Sequence, residues 1–389
     1  MTTNTIVFSL FAVFTGAALI ATLALYARQA MLVAYIVLGI GLGPWGLGIV
    51  SDRDRIADMA TIGIMFLLYL LGLDMLPQRL LRILGEAMGV TLISSVVFLL
   101  VGSGLGLAFG FTLQEALFIG VVSTFSSTIV GLKLLPTTAL HHRHTGEVII
   151  SVLLLQDMMA IIVLLLLQGY GKGGQLALDI GLQLLSLPAL IGLAYALEHF
   201  VLDRLIARFD QIHEYLFLLA IGWCLGLAQL AHAFGLSHEI GAFIAGVTLA
   251  ARPIALFIAE SLKPLRDFFL ILFFFSLGAS FNIGILADLV LPAVIIASAV
   301  LAVKPWVFQK LLVYAGEKPN LSLEIGIRLG QNSEFALLIA VLGVESRFIN
   351  QKTSYLIQIV TLLTFIVSSY LIVLKYPTPI AVSDRLRRD

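Results

Sequence analysis

The sequence predicts an all-α polytopic membrane protein of about 13 transmembrane helices, built as two inverted six-helix repeats with crossed, discontinuous helices. Three observations predict it. The 389 residues are 60% hydrophobic and 12% charged, where soluble domains carry about 25% charge. Apolar runs long enough to cross a hydrocarbon core of ~30 Å, at ~1.5 Å rise per residue, recur along the chain. Two of those runs, one in each half, are interrupted by clusters of small polar residues.

Hydropathy places the spans near 5–26, 31–48, 57–73, 86–109, 114–135, 147–168, 176–199, 213–232, 237–251, 263–281, 286–309, 320–344 and 353–374. The opening MTTNTIVFSLF lacks a basic n-region and a small-residue cleavage site, so it begins the first span and is not a cleaved signal peptide. The second and ninth runs are short and Gly-rich. With the N-terminus outside, fifteen Lys and Arg fall in cytoplasmic loops and five (Arg53, Arg55, Lys172, Arg347 and Lys352) in outer ones. That bias puts the N-terminus outside and the C-terminus in the cytoplasm, and it supports an odd number of spans. The expected organisation is one transmembrane domain over 1–389: a first repeat at about 5–168, a linker helix at about 176–199, a second repeat at about 213–374, and a short cytoplasmic tail at 375–389.

Several classes are disfavoured. Net charge is zero with no basic tract, so nucleic acid is not an expected partner. Cys224 stands alone, which excludes an intramolecular disulfide, and no Cys/His cluster has zinc spacing. No catalytic triad, metal set or phosphate loop points to an enzyme, no GxGxxG follows a strand, and no cofactor is expected.

The fifth span contains GVVSTFSSTIVG (120–131) and the twelfth RLGQNSEFALL (328–338). They lie seven spans apart. An odd offset makes them enter the membrane from opposite sides, so repeats containing them are inverted. Unwinding a helix in lipid frees backbone amides and carbonyls that must find partners. Two breaks that cross leave half-helix dipole ends near the midplane, where freed carbonyls can ligate a cation. Ser126, Ser127 and Thr128 add hydroxyl oxygens, although Ser and Thr also simply join helices in membranes. Gln331, Asn332, Ser333 and Glu334, with Arg328 before them, are expected to support the second break.

Asp157 sits within VIISVLLLQDMMAIIVLLLLQ (148–168), which carries no other charge. A carboxylate at that depth costs roughly 2.5–3.5 kcal/mol on insertion scales, and intramembrane ionisable groups are functional by default. The competing reading is a buried Asp satisfied by its neighbours. The sixth span follows the first break directly and can bring Asp157 and Gln156 beside it.

Other polar residues have two readings each. Lys304, before Pro305, is either a snorkelling lysine at the cytoplasmic end of its span or an ion-pair partner for Asp157 or a helix break. Glu334 suits the uncapped N-terminus of a half-helix better than a ligand role. Glu324 and Arg328 have i, i+4 spacing and can pair. His141, His142 and His144 belong to a solvated loop or, less economically, a pH sensor. His238 and Glu239 open the ninth span at the interface, and FFLILFFFS (268–276) faces lipid or core.

With these residues in hand, the chain resembles the Kef-type glutathione-gated potassium efflux systems, in the second branch of the monovalent cation:proton antiporters. The resemblance is carried by YIVLGIGLGPWGLGIVSD (35–52), FLLYLLGLDMLPQRL (66–80), STFSSTIVGLKLL (123–135), VLLLQDMMAI (152–161), GLSHEIGAFIAGVTLA (235–250), LFFFSLGASF (272–281), Lys304 and LGQNSEFALL (329–338), in family order. It implies a sodium/proton antiporter-like fold, a core domain with crossed helices held by a dimerisation domain, a homodimer, and elevator-like alternating access. It implies a monovalent cation and a proton competing at Asp157. Gln156 matches the neutral position where electrogenic relatives carry a second Asp. Lys304, Gln331 and Glu334 match the family's basic, Gln and Glu positions. One departure is large: Kef systems continue into a cytoplasmic nucleotide-binding domain, whereas this sequence ends SDRLRRD, so glutathione gating is not supported by these residues.

The expected function is therefore exchange of a monovalent cation, potassium in preference to sodium by the resemblance, for protons across a bacterial inner membrane. Ionised Asp157 would bind the cation with help from Ser126, Thr128, Gln156 and backbone carbonyls, and protonation would release it. A gated potassium channel is the first alternative, although no TVGYG-type filter is present. A sodium-coupled symporter for an organic solute is the second.

Overall fold

The computed structural model describes residues 6–27, 29, 31–50, 53–74, 77–128, 144–170, 176–209, 211–252, 254–282, 284 and 286–378. The described chain is helical, joined by short turns. In order the helices are α1 (Ile6–Tyr26), α2 (Met31–Leu42), α3 (Arg53–Asp74), α4 (Pro77–Ala108), α5 (Leu113–Thr124), α6 (His144–Tyr170), α7 (Leu176–Leu197), α8 (Asp203–Phe209), α9 (His213–Ala233), α10 (His238–Ala250), α11 (Ala255–Ser280), α12 (Leu286–Tyr314), α13 (Pro319–Arg328), α14 (Glu334–Glu345) and α15 (Gln351–Lys375). Among the described residues, Val7–Tyr26, Met88–Ala108, His213–Ala233, Ala287–Tyr314 and Gln351–Lys375 are long and apolar enough to cross a membrane.

The expected spans meet these helices with informative differences. α2 stops at Leu42, short of 48, and turns run through to Val50. α4 starts at Pro77, ahead of 86, because its first turns, PQRLLRILGE, carry the polar residues that hydropathy excludes from a span. α11 likewise begins at Ala255 and carries Glu260, Lys263, Arg266 and Asp267 before its apolar part. α7 continues through a π-helical turn, Glu198–Leu202, into α8. Most consequential, the fifth and twelfth spans are not continuous helices. α5 ends at Thr124, and α13 and α14 are separated by non-helical 329–333. The continuation of the fifth span beyond Thr128, the loop with His141 and His142, and the tail from 379 lie outside the described residues, as do the side-chain surroundings of His144.

Local signals explain the ends. Thr112 and Glu115 form a reciprocal capping box at the start of α5. Ser237, Ser333 and Asn350 each accept a backbone N–H at the N-termini of α10, α14 and α15. α13 opens on Pro319, whose fixed φ suits a first helical position. Gly110, at φ 81°, makes the turn between α4 and α5 that a side chain would strain.

Two compact units divide the chain: Met1–Ala18, Tyr35–Arg82 and Gln168–Ser280 form one, and Leu19–Ala34, Ile83–Leu167 and Phe281–Asp389 the other. In the first, α3 packs on α10 and α11, and α9 packs on α10. Backbones approach so closely there that a Cβ on Gly246 would lie 2.1 Å from the Tyr69 carbonyl oxygen. Phe273, Phe274 and Phe275 are buried, so the aromatic run faces core over that stretch, while Phe268 is partly exposed. His238 stacks on His232 with ring centroids 4.5 Å apart.

In the second unit, α12 packs on α13 and α15, and α14 and α15 pack on each other and on α5. Its apolar centre joins α4, α6, α12 and α13 through Phe98, Ile149, Val152, Phe308 and Ile325. A Cβ on Gly326 would meet the Pro305 carbonyl oxygen at 2.6 Å, so α13 lies directly against the α12 backbone beside Lys304. Both helix breaks belong to this unit.

Candidate ion-binding site

α5 delivers the chain to its break at Phe125, whose backbone is extended at φ −82° and ψ 141°. Phe125, Ser126 and Ser127 are non-helical, and Thr128 is helical again. The groups freed by this unwinding are taken up by side chains from other helices. Gln156, on α6, bridges the break with both ends of its amide: Nε2 donates to the Thr124 carbonyl at 3.0 Å, and Oε1 accepts the Ser126 N–H at 2.9 Å. Gln156 is fully buried, and both ends of its amide are engaged across the break.

The next residue on α6 is Asp157, 2% exposed. Its Oδ2 accepts the Thr128 hydroxyl at 3.2 Å. Ser127, one residue before Thr128, donates its hydroxyl to Glu334 Oε2 at 2.6 Å. Consecutive residues of the first break therefore hold a carboxylate from α6 and another from the second break. Ser126 turns the other way and donates its hydroxyl to the Leu329 carbonyl at 2.8 Å.

The second break is built on α13 and α14. Ser333, not Glu334, supplies the cap, accepting the Phe335 N–H at 3.1 Å. Gln331 folds back, donating to the Arg328 carbonyl at 2.8 Å and, at 3.5 Å, to the Ser127 carbonyl. Arg328 pairs with Glu324 at 2.9 Å, as the i, i+4 spacing predicts, and also donates to the Pro377 carbonyl at 3.0 Å. It is 1% exposed, with the Tyr376 ring 5.6 Å away.

Lys304 occupies the point where these strands of backbone meet. It is 1% exposed, which removes the snorkelling reading. Its Nζ donates to the Phe125 carbonyl at 2.8 Å, the Gln331 carbonyl at 3.1 Å and, more weakly, Ser126 Oγ at 3.5 Å. The Phe98 ring lies 5.4 Å from the ammonium. Its partners are the helix breaks and not Asp157. The arrangement has a direct electrostatic cause. α5 and α13 both end at the breaks, so both bring the negative ends of their dipoles there, and an ammonium between them answers that charge.

The structure thus brings Asp157, Thr128, Ser127 and Glu334 into one cluster, and commits Gln156, Ser126, Gln331 and Lys304 to the backbone around it. The contribution of α15 goes beyond the residues that the sequence singled out. Its Thr364 hydroxyl oxygen accepts the Asn332 N–H at 3.1 Å, and its Ser368 hydroxyl donates to Gln331 Oε1 at 2.8 Å. The signal was present: Ser354, Gln358, Thr361, Thr364 and Ser368 recur at three- and four-residue spacing along an apolar span, which puts them on one helix face.

Fold and site together define an integral membrane transporter with a sodium/proton antiporter fold. Among solved structures the chain is similar to the sodium proton antiporter MjNhaP1 from Methanocaldococcus jannaschii, at 16% identity over 93% of this chain and 94% of that one, with a TM-score of 0.65. Residues 10–374 match the family described as sodium/hydrogen exchanger, transmembrane. The chain belongs to that family and is accordingly an ion-transporting antiporter, not an enzyme.

Proposed function

We propose that this protein exchanges potassium for protons by elevator-like alternating access, with Asp157 as the carboxylate that both ions share. The observation that carries the reading is the placement of Asp157: a buried carboxylate beside a broken helix, with the Thr128 hydroxyl as its hydrogen-bond partner. An ionised carboxylate at that depth is unfavourable without a cation or a proton. Binding of either one therefore displaces the other. Thr128 and Asp157 are the side-chain ligands in this reading, while Gln156, Ser126 and Lys304 fix the backbone around them.

The choice of potassium rests on the resemblance to Kef-type systems, as do the homodimer and the elevator motion. The loop-charge bias supports an outer N-terminus and a cytoplasmic C-terminus in a bacterial inner membrane. An ammonium has three donors, and Lys304 directs its donors at two carbonyls and a hydroxyl. In this reading Lys304 keeps its proton through the cycle, leaving Asp157 as the titrating group and the exchange electroneutral.

The test is proteoliposome exchange read by an internal pH dye, with potassium and then sodium added outside, for wild type and Asp157→Asn. Proton movement driven by potassium and lost in the variant is the expected result. Exchange that survives in Asp157→Asn would remove Asp157 from the site. Tracer potassium flux without proton movement would replace the antiporter reading by a channel.

A further inference from the structure

The hydroxyls of α15 reach the second break at two adjacent places. Thr364 Oγ1 accepts the Asn332 N–H at 3.1 Å and donates to the Thr361 carbonyl of its own helix at 2.8 Å. Ser368 Oγ, one turn further along, donates to Gln331 Oε1 at 2.8 Å. All four residues are at most 1% exposed. Ser and Thr often join membrane helices side chain to side chain. Here one target is a backbone amide that unwinding has freed, and the other is the side chain that folds back over the break.

This clamp has little reserve. Thr364 is the partner that the structure gives the Asn332 amide, and Asn332 Oδ1 has no partner among the described residues. Removing the Thr364 hydroxyl leaves a buried N–H unpaired in a segment with no helical ladder to fall back on. The consequence does not stop at Asn332. Leu329 accepts from Ser126, Gln331 donates toward Ser127, and Glu334 accepts from Ser127. Those serines precede Thr128, which holds Asp157. A shift of 329–333 is thereby passed through paired groups to the carboxylate.

We propose that Thr364 and Ser368 are positioning residues for the ion site. They fix the register of the second break and, through it, the placement of Thr128 against Asp157. Neither touches the transported ion. The proposal rests on Asp157 being the exchange site, and it adds a helix that neither carries the carboxylate nor contains a break.

The experiment compares wild type with Thr364→Val, Ser368→Ala, the double variant and Thr364→Ser in proteoliposomes, measuring apparent cation KM, maximal rate and pH profile. Hydrogen exchange at residues 329–333 is followed in the same preparations. Thr364→Val keeps the side-chain shape and removes the hydroxyl. The expected result is an apparent KM raised about tenfold, a displaced pH profile, faster exchange at 329–333, and recovery in Thr364→Ser. A purely structural role would lower thermal stability and leave KM and pH profile in place. KM and pH profile within about twofold of wild type overturn the proposal, as does unchanged hydrogen exchange. If the double variant does not fold, the single variants decide on the same criteria. Wild type that exchanges no cation for protons would instead overturn the function proposed for Asp157, a result read before any variant is compared.

Discussion

Lys304 Nζ lies 2.8 Å from the carbonyl oxygen of Phe125, although the two residues are 179 positions apart in sequence. This contact ties the C-terminal end of α5 to α12. With the Gln331 carbonyl at 3.1 Å, it makes the lysine a bridge between both unwound segments. A side-chain ammonium thus stands where two dipoles would otherwise oppose each other.

Replacing Lys304 should therefore act on stability as well as transport. Lys304→Met keeps the chain length and removes the donor, leaving two buried carbonyls short of a partner. The expected loss is about 1–3 kcal/mol, seen as a lower unfolding temperature of purified protein in detergent. Wild-type stability in this variant would mean that the breaks hold themselves without the ammonium.

Gln156→Glu tests the two-ended amide. A carboxylate can still accept the Ser126 N–H but cannot donate to the Thr124 carbonyl, and it adds a second negative charge next to Asp157. The variant should exchange with a raised apparent KM and alter the charge moved per cycle, read as a new dependence on membrane potential in valinomycin-clamped liposomes. Unaltered kinetics and an unchanged response to membrane potential would show that the amide's donor is dispensable.

The proposed competition for one carboxylate would give a signed pH dependence. As pH rises, fewer protons contest Asp157, so the apparent KM for the cation should fall and then level off. As pH falls, KM should climb while the rate at saturating cation changes less. A KM that stays flat across pH 6–9, measured by tracer uptake, would separate the proton site from the cation site.

Just past α10, Arg252 joins Glu198 at 2.7 Å and Asp203 at 3.1 Å, linking the end of that helix to the π-helical turn after α7. The bond to Glu198 raises the guanidinium above its ordinary range. Arg252→Ala would leave the buried Glu198 carboxylate unpaired, and a loss of about 1–3 kcal/mol in thermal unfolding is expected. Adding Glu198→Gln should recover most of it. Additive losses would show that the pair is not coupled.

The breaks were legible in the sequence because polar clusters in apolar spans are rare and physically expensive. Ser126–Thr128 and Gln331–Glu334 were visible for that reason, and Asp157 stood out as the only charge in the apolar run 148–168. The i, i+4 pairing of Glu324 with Arg328 was equally legible, being local. Ser333 capping α14 in place of Glu334 was not: a hydroxyl and a carboxylate both suit a helix start, and only backbone geometry chooses between them. The part played by Thr364 and Ser368 was hidden because hydroxyls on a membrane helix have several uses, and spacing identifies the face they share without naming what that face meets.

By itself the sequence determined a polytopic helical membrane protein, where its helices are interrupted, and that a carboxylate stands inside the apolar run 148–168. Those properties follow from hydropathy, helical period and the expense of burying charge, all read from residues near one another. Only the tertiary structure decided that Lys304 serves the freed carbonyls and not Asp157, that Gln156 spends its amide across the first break, and that α15 holds the second. Each depends on contacts between residues dozens to hundreds of positions apart, and on the need of every buried donor and acceptor for a partner, which no local pattern records.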